Sequence, residues 1–285
     1  MTARHDHDRG LSFDLATMTG RRLMDRRRAL QMVAGAGLVT LVGCGSDDGN
    51  ESADSTTTST AGSSTTTAGS ESAASNAECS EIPEETAGPY PGDGSNGPNV
   101  LTEDGIVRSD IRPSFGSARG LAEGVPATIN LPVVDTANGC APLTGAAVYV
   151  WHCDRDGRYS LYSPGATDQN YLRGVQETDA SGAVSFTSIF PACYSGRWPH
   201  IHFEVYASLA EATGGGSVLA TSQLAIPEDA CNQVYATEGY AQSVANLSQI
   251  SLESDNVFGD GSDQQLATVT GSVDDGFVLR LSIPV

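Results

Sequence analysis

The sequence predicts an all-β fold, an antiparallel β-sandwich core with long loops and little helix. Short runs rich in β-branched and aromatic residues are bounded by Gly, Pro, Asn or Asp, as strands commonly are. Hairpin-type turn sequences, Asp-Ala-Ser-Gly at 179–182 and Asp-Asp-Gly at 274–276, flank some of these runs. Many short strands at this spacing are typical of a sandwich or a barrel.

The predicted strands cover residues 127–134, 146–151, 183–189, 201–206 and 277–283. The one helical pattern, at 237–246, is weak. These elements lie within residues 79–285, a length that can bury the core of one domain. We therefore predict a single β-sandwich domain over 79–285.

Residues 1–43 predict an export signal. Arg26 and Arg27 form a twin arginine, and an apolar run over 32–42 ends in Leu-Val-Gly before Cys44. The run is too short to span a bilayer as a stable helix, and its ending resembles the lipobox of bacterial lipoproteins. We expect twin-arginine export and lipidation at Cys44. The product would lie at the extracellular face of the cell membrane or be secreted.

Residues 44–78 predict a disordered tether. The segment is dominated by Ser, Thr, Ala, Gly, Asp and Glu and contains no aromatic residue. Such a composition cannot bury enough apolar surface to offset the entropy lost on ordering. A flexible chain of this kind would hold the domain off a membrane surface without fixing its orientation.

The charge distribution limits the partners. Residues 1–43 hold seven of the 15 basic residues and four of the 35 acidic ones. The remaining chain has 8 basic and 31 acidic residues, a net charge of −23, and no lysine. An acidic surface repels nucleic acid and anionic lipid. We therefore expect no nucleic-acid partner, and membrane contact only through a lipid at Cys44.

The cysteines suit an exported protein. If Cys44 carries lipid, an odd number remains, so they cannot all pair with one another. Disulfides are plausible in an oxidising compartment, but the spacing leaves their connectivity open. The absence of a C-x-x-C pair argues against a structural zinc site. The five remaining cysteines are Cys79, Cys140, Cys153, Cys193 and Cys231.

One stretch, CYSGRWPHIHF at 193–203, carries candidate chemistry. Side chains two apart on a strand point to the same face, so His200 and His202 would converge as metal ligands do. Tyr194 and Arg197 lie just upstream. Taken alone, the pattern is equally compatible with a strand bearing two surface histidines.

Further motifs distinguish these alternatives. They are T-x-G-P-Y at 86–90, WHCD at 151–154, GRYS at 157–160, YLRGVQ at 171–176 and R-x-x-H-I-H at 197–202. Together they resemble the intradiol ring-cleavage dioxygenases, the catechol 1,2- and protocatechuate 3,4-dioxygenase superfamily, and more closely its exported bacterial members. This resemblance implies Fe(III)-dependent cleavage of a catechol-type diol by O₂ to a cis,cis-muconate-type diacid.

The resemblance also implies roles for individual residues. The iron ligands would be Tyr159, Tyr194, His200 and His202, and two tyrosinates, as hard anionic oxygen ligands, favour Fe(III). Tyr194 would leave the metal and accept a proton from the diol, and Arg197 would stabilise negative charge on the ring. The pocket candidates are Gln223, Trp198, Tyr90 and Arg173.

Alternatives remain at this stage. The domain could be a tethered extracellular binding module without catalytic activity, or the same cluster could hold zinc or copper in a different enzyme. Tyr162 is the nearest alternative to either tyrosine ligand, and His152 is interpreted as structural. The choice between catechol and hydroxyquinol as substrate, and the oligomeric state, are left open.

Overall fold

The computed structural model describes residues 79–285. The predicted export signal over 1–43, the predicted tether over 44–78 and the lipidation site Cys44 lie outside the described residues. None of the helices within 79–285 is long and apolar enough to cross a lipid bilayer.

The described chain consists mainly of strands. They are β1 (Pro126–Asp135), β2 (Ala141–Pro142), β3 (Ala147–Trp151), β4 (Arg173–Glu177), β5 (Ala183–Ile189), β6 (His200–Tyr206), β7 (Val218–Ala225), β8 (Thr268–Ser272), β9 (Gly276–Arg280) and β10 (Ile283–Pro284). Three short α-helices accompany them, α1 (Leu209–Gly214), α2 (Glu228–Tyr235) and α3 (Ala241–Leu247), together with 3₁₀ helices at Thr136–Asn138 and Phe258–Asp260. The prediction of an all-β fold with little helix is confirmed.

One sheet has four strands in the order β4-β3-β6-β7, and all of its pairs are antiparallel. Its register aligns Trp151, His202 and Gln223 on three adjacent strands. Side chains in such a row share one face of the sheet. The register therefore places the second histidine between an indole and an amide.

The second sheet is built around β1, which pairs antiparallel with β2 and β5 and parallel with β9 and β10. The sequence predicted antiparallel pairing, and the two parallel pairs differ from it. The predicted strand at 277–283 is also two strands, β9 and β10. Strand patterns indicate which residues are extended, but they do not indicate which distant strand pairs with them.

β6 is buried along its entire length and divides its side chains between two environments. Ile201, Phe203 and Val205 join the larger core cluster, which contains residues of both sheets. His200 and His202 alternate with them and point to the opposite face. The outer face of the four-stranded sheet therefore carries the imidazoles, while the inner face forms the sandwich core.

The helices were only partly predicted. The weak pattern at 237–246 overlaps α3, whereas α1 and α2 were not predicted. α2 begins after Pro227 with Glu228 and Asp229 in its first turn, and both features are helix-start signals. With eight residues it is too short for periodicity alone to identify it.

A disulfide joins Cys79 to Cys140, with their Cα atoms 5.9 Å apart. It attaches the beginning of the described chain to the turn between β1 and β2. The other cysteines of the described region, Cys153, Cys193 and Cys231, are free and buried.

We predict that the Cys79→Ser/Cys140→Ser variant loses about 4 kcal/mol of unfolding free energy, because the bridge closes a long loop in the unfolded chain. Denaturant unfolding would measure the loss. Reductant should destabilise the wild type and leave the variant unchanged, which is the internal control. Equal midpoints for wild type and variant without reductant would contradict the prediction.

Candidate metal centre

His200 and His202 bring their Nε2 atoms to 3.1 Å from each other. Both side chains are almost completely buried. The Nδ1 atom of His200 lies 2.5 Å from the Trp198 carbonyl oxygen. A proton on that Nδ1 leaves Nε2 as an unprotonated acceptor that faces the other imidazole. The spacing of two residues on β6 thus brings together the histidines that the sequence singled out.

Two tyrosines complete the cluster. The Tyr159 and Tyr194 hydroxyl oxygens each lie 3.3 Å from His200 Nε2. Tyr159 follows a turn after β3 in which Gly157 has a φ of +80°. A Cβ on that glycine would lie 3.1 Å from the Tyr194 Cβ, so the turn approaches the second tyrosine closely.

Three of the six separations among these donor atoms, all measured from His200 Nε2, are compatible with one metal ion. Donors held at about 2.1 Å from a common ion and separated by 3.1–3.3 Å subtend angles of about 95–105°. Such angles lie between those of octahedral and tetrahedral coordination. Within residues 79–285 no group of three or more His, Cys, Asp and Glu side chains is arranged to hold a metal. A metal at this point would therefore depend on the phenol oxygens.

Burial sets the protonation of the cluster. It lowers the pKa of His200 well below the usual range, and the nearby Arg197 charge lowers it further. Burial likewise lowers the pKa of His202 well below the usual range, and the nearby His200 and Arg197 groups lower it further. Burial also raises the pKa of Tyr159 well above the usual range. The two imidazoles are therefore neutral, and ionisation of the Tyr159 phenol requires a cation beside it.

Arg197 lies next to the four donors. Its Nη1 is 3.5 Å from His200 Nε2, its Nη2 donates to Gln223 Oε1 at 2.7 Å, and its Nε donates to Asp255 Oδ2 at 3.0 Å. The guanidinium is almost completely buried. The predicted arginine thus faces the cluster with one nitrogen and is held by its other two.

Gln223 and Tyr90 connect the cluster to the segment that precedes β1. The Gln223 Nε2 donates to the Thr86 carbonyl oxygen at 2.8 Å. The Tyr90 ring packs against the Tyr159 ring with a centroid distance of 4.9 Å. Between these contacts, a Cβ at Gly88 would lie 3.3 Å from His202 Cε1. The segment therefore lies directly over the second histidine.

Part of the chain is similar to known dioxygenases. Residues 109–214 match the family model Dioxygenase_C, described as Dioxygenase. A chlorocatechol 1,2-dioxygenase from Rhodococcus opacus is 36% identical over 95 residues, which cover 29% of this chain and about a third, 36%, of that relative.

Solved structures extend the likeness over more of the chain. An intradiol ring-cleavage dioxygenase from Tetranychus urticae aligns with a TM-score of 0.56 and 27% identity, covering 72% of this chain and 94% of that one. A second dioxygenase structure has a TM-score of 0.55 with the same identity and coverage. The family model and these structures support the intradiol ring-cleavage dioxygenase superfamily.

The family-model match contains the four candidate donor residues and also Arg197. Gln223 and Asp255 lie beyond it. The likeness in sequence therefore covers the donor atoms, whereas two groups that hold the arginine come from later parts of the chain.

The pocket candidate Arg173 is bonded entirely within the protein. All five guanidinium N–H groups donate within the protein, to the Ser160 hydroxyl, the Ser160 carbonyl, the Tyr149 hydroxyl and the carbonyls of Tyr90 and Pro91. The side chain is 1% exposed. Arg173 therefore holds Ser160, which follows Tyr159, and the backbone of the Tyr90 segment. None of its N–H groups remains available to a substrate.

The pocket candidate Trp198 packs in the core. Its side chain belongs to the larger core cluster, and its indole N–H donates to the Ile226 carbonyl at 2.8 Å. Trp198 therefore anchors the turn before β6 by its side chain. Its backbone carbonyl, which accepts from His200, is the part that touches the cluster.

The remaining predicted residues lie outside the donor set. The Tyr162 hydroxyl donates to the Asn96 carbonyl and accepts from the Gly92 amide. The two nitrogens of His152 contact the Cys153 carbonyl and the Ser188 hydroxyl, which fits the structural role expected for this histidine. Burial raises the pKa of the Cys193 thiol to about 12, so it is not a nucleophile.

Sequence reasoning missed two neighbours of the cluster. The Trp151 indole stacks on the His202 ring with a centroid distance of 4.9 Å and an interplanar angle of 4°. The strand register would have indicated this contact once the pairing of β3 with β6 was known. Asp255, the carboxylate partner of Arg197, lies in no motif.

We predict that Arg173→Met costs about 3–5 kcal/mol of unfolding free energy, because it leaves several buried acceptors without a donor. The matched control is Arg112→Met, since Arg112 forms an ion pair with Asp110 at 39% and 42% side-chain exposure. That change should cost less than about 1 kcal/mol. Denaturant midpoints of both variants test this, and similar small losses would contradict the bracing role.

Proposed function

We propose that this chain is an Fe(III)-dependent intradiol dioxygenase that cleaves a catechol-type aromatic diol with O₂ to a cis,cis-muconate-type diacid. The observation that carries the proposal is the convergence of two phenol and two imidazole donors, with separations of 3.1–3.3 Å from His200 Nε2. The chlorocatechol 1,2-dioxygenase likeness supports the reaction class.

Tyr159, Tyr194, His200 and His202 would hold the iron. Ionised phenols are hard anionic ligands, which favour Fe(III) over Fe(II) and over metals that prefer sulfur ligands. Bound Fe(III) would supply the Lewis-acid and one-electron chemistry that makes a catecholate reactive toward O₂.

The two tyrosines differ in a way that suits different roles. Tyr159 is 1% exposed, while Tyr194 is only partly buried. The more accessible phenol can meet an incoming diol, and its oxygen would accept one of the two diol protons. Tyr159 would remain a fixed ligand throughout.

Arg197 would stabilise negative charge that develops on the diol ring. Its Nη1 faces the donor cluster and lies in a buried environment where electrostatic interactions are strong. A preorganised donor of this kind contributes on the order of 3 kcal/mol to a transition state. Tyr90, whose ring packs at a tilt against the Tyr159 ring, would limit the space beside that ligand.

The proposed location is outside the cytoplasm, after twin-arginine export, with a lipid anchor at Cys44. The basis is the sequence of residues 1–44. The Cys79–Cys140 disulfide supports the proposal, since structural disulfides are typical of oxidising compartments.

We predict that purified protein loaded with Fe(III) binds about one iron per chain and shows a visible tyrosinate-to-iron absorption band. It should also consume O₂ when catechol is added. Tyr159→Phe and Tyr194→Phe should each change or abolish the band and lower O₂ uptake by more than the ~10–100-fold typical of changes outside the ligand shell. Tyr162→Phe is the matched control, because its hydroxyl contacts only backbone of residues 92 and 96.

The outcomes separate the alternatives. A folded, iron-loaded protein without the band would overturn the ligand assignment. Diol binding without O₂ uptake would favour a tethered binding module, and zinc or copper in the purified protein would indicate a different enzyme. A substrate panel that includes hydroxyquinol would then identify the diol.

A further inference from the structure

Asp255 is a fully buried carboxylate beside the candidate metal centre, with 0% of its side chain exposed. Its Oδ2 accepts from Arg197 Nε at 3.0 Å and from the Trp198 amide at 2.7 Å. Its Oδ1 accepts from the amides of Val257 and Phe258 at 2.8 and 3.1 Å. One side chain therefore joins the turn before β6 to a segment more than fifty residues later.

We propose that Asp255 is a positioning residue for the reaction, acting on Arg197 through its side chain and on His200 through the Trp198 backbone. The proposal rests on the function proposed above. It assigns to Asp255 two separate effects, one on the charge-stabilising arginine and one on a metal ligand.

The first effect concerns the direction of the guanidinium. Asp255 holds Nε and Gln223 holds Nη2, and a planar group held at two of its three nitrogens cannot rotate. The third nitrogen, Nη1, is thereby directed at His200 Nε2. Without Asp255 the arginine would be a buried cation held by one neutral amide, free to turn away from the cluster.

The second effect concerns the His200 ring. Asp255 fixes the Trp198 amide, and the carbonyl of the same residue contacts His200 Nδ1. This contact sets the ring orientation and keeps Nε2 available as a ligand. Loss of such outer contacts typically costs 10–100-fold in metal affinity or activity.

Stability alone gives little reason for this arrangement. A buried ion pair costs desolvation free energy that roughly offsets its Coulombic gain, and an apolar pair of similar size is often as stable. The position of Asp255, bonded both to the arginine and to the backbone that orients a ligand, points to geometry as its contribution.

A double-mutant cycle with Asp255→Asn and Arg197→Met tests the proposal. The asparagine oxygen can still accept from the Val257 and Phe258 amides. Its NH₂ group would face two other donors, Arg197 Nε and the Trp198 amide, and cannot accept from them. Three quantities would be measured: kcat for catechol, the rate at which a ferric chelator removes iron, and the denaturant midpoint of the metal-free protein. Asp110→Asn is the control, since this aspartate pairs with Arg112 at 42% exposure.

We expect Asp255→Asn to lower kcat about 10–100-fold and to accelerate iron loss by a similar factor. When Arg197 is already methionine, Asp255→Asn should lower kcat by a smaller factor. The substitution should still accelerate iron loss, because Asp255 also acts on His200 through the Trp198 backbone. Equal kcat losses in both backgrounds together with unchanged iron loss would overturn the proposal. Asp110→Asn should leave both quantities within about twofold of wild type.

Two further readouts keep the test decisive. If the wild type binds no iron or does not turn over catechol, the proposed function fails, but the midpoints of the metal-free proteins still report on Asp255. Non-additive changes in these midpoints support the link between Asp255 and Arg197, and additive changes refute it.

If Asp255→Asn does not fold, the apolar pair Arg197→Met/Asp255→Leu replaces it. Iron loss no faster than in Arg197→Met would then refute the link to His200.

Discussion

The complete burial of β6 is the constraint on which the rest of the structure depends. Its alternate residues, Ile201, Phe203 and Val205, lie in the core shared by the two sheets. His200 and His202 are therefore held on the opposite face, and they too are buried. Buried polar atoms are costly unless they are paired. The Trp198 carbonyl contacts His200 Nδ1, whereas His202 Nδ1 has no hydrogen-bond partner within residues 79–285.

The groups around the two imidazoles come from segments that are far apart in the chain. Tyr159 follows β3, Tyr194 precedes β6, and the covering segment around Gly88 precedes β1. Each segment is positioned beside the histidines because the strands that it follows or covers are paired in a defined register. A metal centre of this kind is thus a property of the assembled sheet and its loops, with the strands acting as a rigid base.

The two buried arginines near the cluster differ in whether a guanidinium nitrogen remains directed at the donor atoms. Arg173 uses all five N–H groups on acceptors within the protein, so it can only brace. Arg197 is held at two nitrogens and presents the third to the donors. The same residue type therefore supports the fold in one place and, in the proposed function, would stabilise charge in the other. The hydrogen-bond partners distinguish the two arginines.

By itself the sequence determined the features that depend on neighbouring residues. Short runs of β-branched and aromatic residues bounded by turn residues predicted most of the strands, and the spacing of His200 and His202 predicted that they share a face. Resemblance to a family added the two tyrosines and Arg197. Only the tertiary structure decided the parallel pairs of β1, the place of the Trp198 indole in the core, and the partnership of Asp255 with Arg197. These depend on contacts between distant segments, which local periodicity and motif spacing do not encode.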